Sequence, residues 1–460
     1  MLNKFLPISI LLIFITSFFL AKFSILTAGL IAFLALFIFA LFYFKQALLL
    51  FAFFLPFEKT FSFDFSGITL RFSHLLFLAI FFSWIIRNLT NKNWKIYFDR
   101  SFIFLILYLV LAAFSMGWAQ NFNRGLQVLG FSAFAFLVFL VLYQIFLQEP
   151  KYLKLFLKTL FVSTIVVCLF GLFQFFGDLI GLPLFLTGIG EGYTKAVLGF
   201  PRVRSTFFEP LYFGNFIILI FPLIYWQTTL RKPILSRKLT KLLLLLLVLN
   251  LILTIARSAY LAFLLELVLI SIFSLKYFLR PLSLRLLSVF LILISSFLFS
   301  LINFPKIYPY KVQEVIKHST TINDWSSRER LTSGAIASKA FLKNPIKGLG
   351  IGQFGPYFDH YPSQMPKTGW QTVNNEPLEL LAENGFLALL LILLFYLYLL
   401  FRQVVAFFRA EDEMNKKLAL SFFVALIGLA LQWQFFSTLY IIYIFAFFAL
   451  SLSFAKLKKI

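Results

Sequence analysis

Long apolar runs, separated by short polar or basic stretches, cover almost the whole chain. An α-helix needs about 20 mainly apolar residues to cross a bilayer, and several of these runs are shorter, so flanking residues must extend them. The pattern gives fourteen candidate spans and predicts 12–14 transmembrane helices. The candidates are residues 5–20, 23–44, 47–57, 72–86, 102–118, 126–146, 155–176, 211–226, 242–255, 259–273, 286–301, 386–401, 418–431 and 439–454.

The composition agrees with this pattern and excludes a soluble domain. Hydrophobic residues make up 61% of the 460 residues and charged residues 13%, whereas soluble domains hold about 45–50% apolar and about 25% charged residues. The single cysteine, Cys168, lies inside an apolar run, which rules out a disulfide framework and a cysteine zinc site. We therefore predict an all-α, polytopic integral membrane protein.

The formal net charge of +23 would suit a nucleic-acid partner, but the basic residues stand at the ends of apolar runs. This placement is typical of topology signals and of contact with anionic lipids, so we predict a lipid bilayer and no nucleic acid as partner. With the N-terminus inside, the cytoplasmic segments carry 24 Lys and Arg, the short outer loops 8 and one long loop 9. The bias predicts that both termini are cytoplasmic.

The run after Lys4 resembles a signal peptide but lacks a clear cleavage site, so we expect it to remain as the first helix. Two longer polar stretches, at about 178–210 and about 304–384, then fall on the outer face. The chain is thus predicted to be one membrane domain. It consists of transmembrane residues 1–303, a large extracytoplasmic loop at 304–384 and C-terminal transmembrane residues 385–460.

The large loop contains signals for local structure. Ser326 followed by Glu329 is a capping box, which predicts a helix running toward Lys343. The glycines of GLGIGQFG then predict a turn. Pro377 suits the first turn of a further helix, which we expect to be amphipathic and to lie along the membrane surface.

Arginines on the predicted outer side are the strongest candidates for chemistry. Arg257 interrupts an apolar stretch in TIARSAYL, where the positive-inside rule disfavours it. Arg202 and Arg204 precede a span, and Arg328 and Arg330 open the predicted loop helix. Guanidinium groups bind phosphate oxygens bidentately and stay charged at every relevant pH, so their convergence would form a site for a lipid diphosphate. Alternatively, they pair with Glu209, Glu329 or lipid headgroups and fix loop geometry.

Other chemical signals are weaker. Glu266 lies near the middle of a span, where a carboxyl is either functional, or protonated or bonded to a neighbouring helix. The three histidines are far apart, which argues against a metal site. GLGIGQFG follows a helix and lacks the lysine of a P-loop, which argues against a nucleotide site. The chain has no DxD pair, which argues against a metal-dependent transferase that uses nucleotide sugars.

Four motifs together resemble the O-antigen ligase and polymerase family of bacterial envelope glycan transferases. In chain order they are RVRSTFFEPLYFGNF before a span, TIARSAYL at an outer helix junction, SRERLTSGAIASKAFLKNPIKGLGIGQF in the large loop, and NNEPLELLAENGFLALLL leading into the next span. The resemblance covers about residues 195–400.

The resemblance implies a GT-C-like membrane transferase in the cytoplasmic (inner) membrane with its active site on the extracytoplasmic face. The family passes a glycan from an undecaprenyl-diphosphate carrier to a hydroxyl of lipid A core or of a growing glycan, without metal ion, nucleotide or other cofactor. Arg257 and Arg328 would hold the diphosphate. Further substrate-binding residues would be Arg202, Arg204, Glu209, Arg330, Asn375, Glu379 and Glu383.

One position departs from the family pattern. Ligases of the family commonly carry a histidine where this chain has Asn374. A neutral amide is not a general base near pH 7, so Asn374 would orient the acceptor hydroxyl or a sugar. A base would then be Glu376, Glu379 or another carboxylate, or the step would proceed mainly by leaving-group stabilisation. Polymerase and ligase activity both remain open.

The main alternative is a transporter, such as a flippase of lipid-linked oligosaccharides. Transporters usually contain inverted repeats and polar residues along a path at the membrane midplane. The sequence has neither, apart from Glu266. A channel-like or structural membrane protein is a third interpretation, but no segment resembles a selectivity filter.

Overall fold

The computed structural model describes residues 25–60, 62–65, 68–90, 94–230, 232–278, 325–361 and 370–457. The predicted spans 5–20 and 286–301 lie outside the described residues, as do the first part of the large loop and His318.

Helices dominate the described residues. The α-helices are α1 Ile25–Phe42, α2 Phe44–Phe54, α3 Phe72–Thr90, α4 Ser101–Ser115, α5 Phe122–Gln148, α6 Pro150–Leu179, α7 Leu184–Thr187, α8 Lys195–Leu198, α9 Pro210–Thr228, α10 Arg237–Thr254, α11 Arg257–Phe278, α12 Trp325–Lys343, α13 Phe354–Phe358, α14 Glu376–Arg409, α15 Glu413–Gln432 and α16 Ile442–Lys456. Short 3-10 turns lie at Met116–Trp118 and Glu191–Tyr193. The strands are β1 Ser62–Phe65 and β2 Ile68–Arg71.

Eight of the described helices are long and apolar enough to cross a membrane. They are α3, α4 with the 3-10 turn that follows it, α5, α6, α9, α11, α14 and α15. The other predicted spans within the described residues are helices too: α1, α2 and α16 are shorter apolar helices, and α10 begins among basic residues. The protein is thus an all-α polytopic membrane protein, as the sequence predicts.

The bundle is arranged around α9. About nine tenths of the apolar window of α9 is buried (89%), whereas only a third of that of α4 is buried (33%). α9 packs against α10 and α15, α16 packs against α5, and α14 packs against α4. The outer helices leave large apolar side chains exposed, as lipid contact requires.

Buried polar contacts fix one end of the bundle. Lys456 Nζ lies 3.1 Å from Asp99 Oδ2, which joins the end of α16 to the start of α4. Gln403 Nε2 donates to the carbonyl of Ser451 at 2.8 Å, which joins α14 to α16. The candidate site lies at the opposite end, where the first residues of α9 and α11 meet the start of α12 and the segment before α14.

A short hairpin is the one β-structure among the described residues, and the sequence pattern did not reveal it. β1 and β2 pair antiparallel, with Ser62 opposite Arg71. Arg71 Nη1 lies 3.4 Å from the buried Glu58 Oε1, and the Lys59 N–H donates to Thr206 O at 2.8 Å. The hairpin is therefore tied to the segment that precedes α9.

A kink divides α14 where the predicted loop ends. Gly385 has φ 74° and ψ −176°, which interrupts the helix. The glycine-rich turn fits against this kink: the N–H groups of Leu349 and Gly350 donate to Ala382 O and Glu383 O at 2.9 and 2.8 Å. A Cβ on Gly348 or Gly385 would overlap the backbone of the other segment, so only glycine permits this contact.

Gly385→Ala should therefore destabilise the protein by about 1–3 kcal/mol, because alanine is strained at this φ and its Cβ overlaps Ile346 O. The measurement is thermal unfolding in detergent. The matched control is Gly130→Ala in α5, where a Cβ meets nothing within 4 Å. Alanine there should be neutral or stabilise by roughly 0.5–1 kcal/mol. Equal melting temperatures for both variants would contradict this account of the kink.

Candidate active site

A cavity of about 460 Å3 opens at the end of the bundle where the first residues of α9 and α11 meet. The start of α12 and the segment before α14 close its other sides. Five of the sequence-predicted residues line it: Arg202, Glu209, Arg257, Arg330 and Asn374. The other lining residues are Tyr193, Pro210, Leu211, Ile255, Ala256, Ser258, Glu329, Trp370, Gln371 and Thr372.

A two-residue junction brings Arg257 into the cavity wall. Ile255 ends α10 in the left-handed region, with φ 48° and ψ 43°, and α11 begins two residues later. The segment before α9 pairs with this junction, because the Val203 N–H donates to Leu253 O at 2.9 Å. The short polar interruption in TIARSAYL therefore forms a sharp reversal between two helices.

Arg202 stabilises the same junction. Its Nε and Nη2 donate to the carbonyls of Thr254 at 3.4 Å and Ile255 at 3.2 Å. Carbonyls at a helix C-terminus carry partial negative charge, which favours a nearby cation. The guanidinium carbon lies 5.7 Å from the centre of the Tyr193 ring. Arg202 is thus fixed by protein contacts while it adds positive charge to the cavity.

The N-terminus of α11 concentrates positive potential in the cavity wall. The first N–H groups of a helix have no acceptor within the helix and carry partial positive charge. Arg257 adds a full charge at this point. Ser258 is 5% exposed, and its buried Oγ has no hydrogen-bond partner within the described structure. These donors suit an anionic ligand.

α12 contributes Arg330 to the cavity, and Arg328 lies outside it. Arg328 is exposed and does not line the cavity, whereas Arg330 is half-buried in the wall. Residues two apart on a helix face different directions, so only one of the two side chains is directed at the cavity. Of the expected pair, Arg257 therefore lines the cavity and Arg328 does not, whereas Arg330 does.

α12 is held in place by contacts with the segment 370–373 and α14. Gln371 Nε2 donates to Glu329 Oε1 at 2.7 Å. Beneath this contact lies a small apolar cluster that is separate from the main core. Its buried members are Ile336, Ala337, Ala340, Phe354, Phe358, Val373 and Ala382. The described part of the large loop thus has a small core of its own.

Glu209 occupies the N-cap position of α9, but its side chain makes no capping hydrogen bond. The carboxyl is exposed to the cavity instead. Desolvation by the cavity walls raises the pKa of Glu209, and the charges of Arg202 and Arg330 act in the opposite direction. Glu209 is therefore an accessible carboxyl whose proton affinity is higher than usual.

Arg204 does not line the cavity. Its Nε and Nη2 donate to Gly188 O at 3.1 and 2.5 Å, and its Nη1 donates to Phe208 O at 3.2 Å. The side chain is buried, so these bonds fasten the loop around Gly188 to the segment before α9. The alternative interpretation from the sequence, that such an arginine fixes loop geometry, describes this residue.

Asn374 and Asn375, which begin the fourth motif, have different positions in the structure. Asn374 lines the cavity with φ 56°. Asn375 is the N-cap of α14: its Oδ1 accepts from the Leu378 N–H at 2.9 Å, and its Nδ2 donates to Gln434 O at 2.9 Å. The amide groups of Asn375 are therefore occupied by backbone partners.

Three carboxylates on one face of α14 accept hydrogen bonds from irregular segments. Glu376 Oε2 accepts from the N–H groups of Thr438 and Leu439 at 2.6 and 2.9 Å. Glu379 Oε2 accepts from the Val373 N–H at 2.9 Å and from Ser437 Oγ at 2.7 Å. Glu383 accepts from the N–H groups of Gly352 and Phe354 at 2.7 and 2.9 Å. This polar face contacts protein, contrary to the expected amphipathic surface helix, and none of the three lines the cavity.

The sequence did not single out two residues that matter for the cavity: Arg124, which lies outside it, and Ser258, which lines it. Arg124 is buried, its guanidinium carbon lies 4.7 Å from the centre of the Trp370 ring, and its Nη2 donates to Gln371 O at 3.4 Å. These contacts hold the segment 370–373 against the cavity. Ser258 had no distinguishing sequence signal except its position next to Arg257. Within the described residues, no group of three or more His, Cys, Asp or Glu is placed to hold a metal ion.

Comparison with known proteins agrees with the motifs. Residues 242–393, about a third of the chain, match the family model described as O-antigen ligase, which confirms the family that the motifs predict. The matched range includes Arg257, Arg330 and Asn374, whereas Arg202 and Glu209 precede it. The match supports a function of the O-antigen ligase or polymerase type. A search among curated proteins found no match to the chain.

Glu383→Ala should destabilise the protein by about 2–4 kcal/mol, because it leaves two buried backbone N–H groups without an acceptor. Thermal unfolding in detergent measures the effect. Glu411→Ala is the matched control, since Glu411 is exposed between α14 and α15. If both variants unfold at the wild-type temperature, Glu383 does not hold the glycine-rich turn.

Proposed function

We propose that this chain, whose residues 242–393 belong to the O-antigen ligase family, transfers a glycan from an undecaprenyl-diphosphate carrier to a hydroxyl group. The transfer takes place at the outer face of the cytoplasmic membrane. The acceptor belongs to a growing surface polysaccharide or to lipid A core. The observation that carries the proposal is the single cavity shared by Arg202, Arg257 and Arg330.

The diphosphate is held at the start of α11. Arg257 and Arg330 approach it from α11 and α12, and bind its oxygens through charge-assisted hydrogen bonds. The unpartnered Oγ of Ser258 and the first N–H groups of α11 are further donors. Arg202 adds charge while it remains fixed to the end of α10. Three guanidinium groups near one another repel, and a diphosphate removes that repulsion.

The same groups promote the reaction. The bond between the anomeric carbon and the diphosphate oxygen breaks, and the electron pair remains on the diphosphate. Fixed cations and N–H groups stabilise the charge that develops there, which is often the largest contribution to catalysis. No metal ion or nucleotide takes part in this proposed step. Asn374, which also lines the cavity, orients the acceptor hydroxyl by hydrogen bonding.

The exposed faces of α10 and α11 provide a path for the lipid tail of the carrier. Large apolar side chains are exposed along both helices as they lead away from the cavity. On α10 these are Leu242, Leu245, Leu249 and Ile252, and on α11 they are Leu261, Val268, Ile272 and Leu275. A polyprenyl chain along this surface keeps its apolar contacts in the membrane while its diphosphate reaches Arg257.

The arginine pair of α12 offers a sharp test of the cavity. Arg330→Ala should reduce glycan transfer by about 10²-fold or more, because it removes a cation beside the leaving group. Arg328→Ala, on the same helix but exposed, should transfer at nearly the wild-type rate. Transfer is measured with purified protein at matched abundance. Equal loss in both variants would mean that the cavity is not the diphosphate site.

The proposed reaction itself is tested with purified protein and an undecaprenyl-diphosphate oligosaccharide, with and without lipid A core. A ladder of products without core identifies a polymerase, and one new band that requires core identifies a ligase. Arg257→Ala should abolish either product while the protein inserts normally. No product from the wild-type protein with either acceptor would reject the transferase and favour a transporter.

A further inference from the structure

The proposed transfer requires a group that takes the proton of the acceptor hydroxyl. The sequence directed attention to carboxylates of the fourth motif, because Asn374 has no basic group. In the structure, Glu376 and Glu383 each accept from two buried backbone N–H groups, and Glu379 accepts from Val373 and Ser437. These carboxylates face the protein interior, and none of them lines the cavity.

Two carboxyl groups line the cavity within the described part of the chain, Glu209 and Glu329. Glu329 is engaged, because its Oε1 accepts from Gln371 Nε2 at 2.7 Å. Glu209 stands at the N-cap position of α9 without making the capping bond that this position allows. Its carboxyl is exposed to the cavity that also contains Arg257 and Asn374.

We propose that Glu209 is the general base that accepts the proton of the acceptor hydroxyl, an inference that rests on the proposed function. The hydroxyl oxygen forms a bond to the anomeric carbon as its proton moves to the Glu209 carboxylate. The bond to the carrier diphosphate breaks, and its electron pair stays on the diphosphate held by Arg257 and Arg330. The Glu209 proton then passes to water in the open cavity.

The charges around Glu209 couple this step to binding of the carrier. Arg202 and Arg204 face it from its own segment, Arg330 and Glu329 from α12, and Tyr193 and Tyr212 from the outer loop and α9. Arg202 and Arg330 lower the pKa of Glu209 against the effect of desolvation. A bound diphosphate offsets these two positive charges, so Glu209 becomes a stronger base when the carrier is present.

The test compares the wild-type protein with the variants Glu209→Gln, Glu209→Asp and Glu329→Gln, and with Glu191→Gln as a control. The donor is an undecaprenyl-diphosphate oligosaccharide. The acceptor is either a second molecule of this oligosaccharide or lipid A core. Glu209→Gln should lower kcat by about 10²-fold or more with little change in KM for the carrier. Glu209→Asp should recover part of this loss. Glu191→Gln, an exposed carboxylate outside the cavity, should leave the rate unchanged.

The pH profile separates a base from a positioning residue. Wild-type activity should fall toward acid pH as Glu209 takes up a proton, and this fall should begin at higher pH in kcat than in kcat/KM. Glu209→Gln should lack this fall, whereas Glu329→Gln should keep it. A raised KM with unchanged kcat and pH profile in Glu209→Gln would instead indicate a binding role and overturn the inference. If the wild-type protein forms no product, the proposed function is rejected, and so is the role of Glu209 that rests on it.

Discussion

Backbone N–H groups of irregular segments must find acceptors when they are buried, and this constraint organises the functional end of the protein. Glu376, Glu379 and Glu383 supply those acceptors from one face of α14. They hold the segment after α15, the segment before α14 and the glycine-rich turn in fixed positions. A buried carboxylate is costly by itself, but here each one receives two hydrogen bonds that offset its desolvation. The segment before α14 also lines the cavity, so its fixed position defines that part of the cavity wall.

The cavity combines the guanidinium groups of Arg202, Arg257 and Arg330 with the carboxyl groups of Glu209 and Glu329. Arg257 stands at a helix N-terminus, where the helix dipole disfavours a cation, and Arg330 and Arg202 lie in the same wall. A helix N-terminus and several guanidinium groups around one cavity favour an anionic ligand, which is the basis of the proposed diphosphate site. Arg204 differs in position, because it lies outside the cavity and its guanidinium donates to the carbonyls of Gly188 and Phe208.

Neighbouring residues in one motif differ in whether they line the cavity or hold the surrounding backbone. In the fourth motif Asn374 faces the cavity, while Asn375 caps α14 and Glu376 accepts backbone hydrogen bonds. On α12, Arg330 faces the cavity while Arg328 faces away. A motif read from sequence groups residues by proximity along the chain. Only the direction of each side chain assigns it to the ligand or to the framework.

The membrane class, the helical fold and the resemblance to the O-antigen ligase family, which residues 242–393 match, could be predicted from the sequence, because apolar runs and ordered motifs are properties of the linear chain. It also identified Arg257, because an arginine between two apolar runs on the predicted outer side needs an explanation. The hairpin, the kink at Gly385 and the inward face of α14 required the tertiary structure. The tertiary structure was also needed to show that Arg330 and Glu209 line the cavity and that Arg328 does not. These features depend on which segments meet across the bundle, and distance along the chain does not encode that.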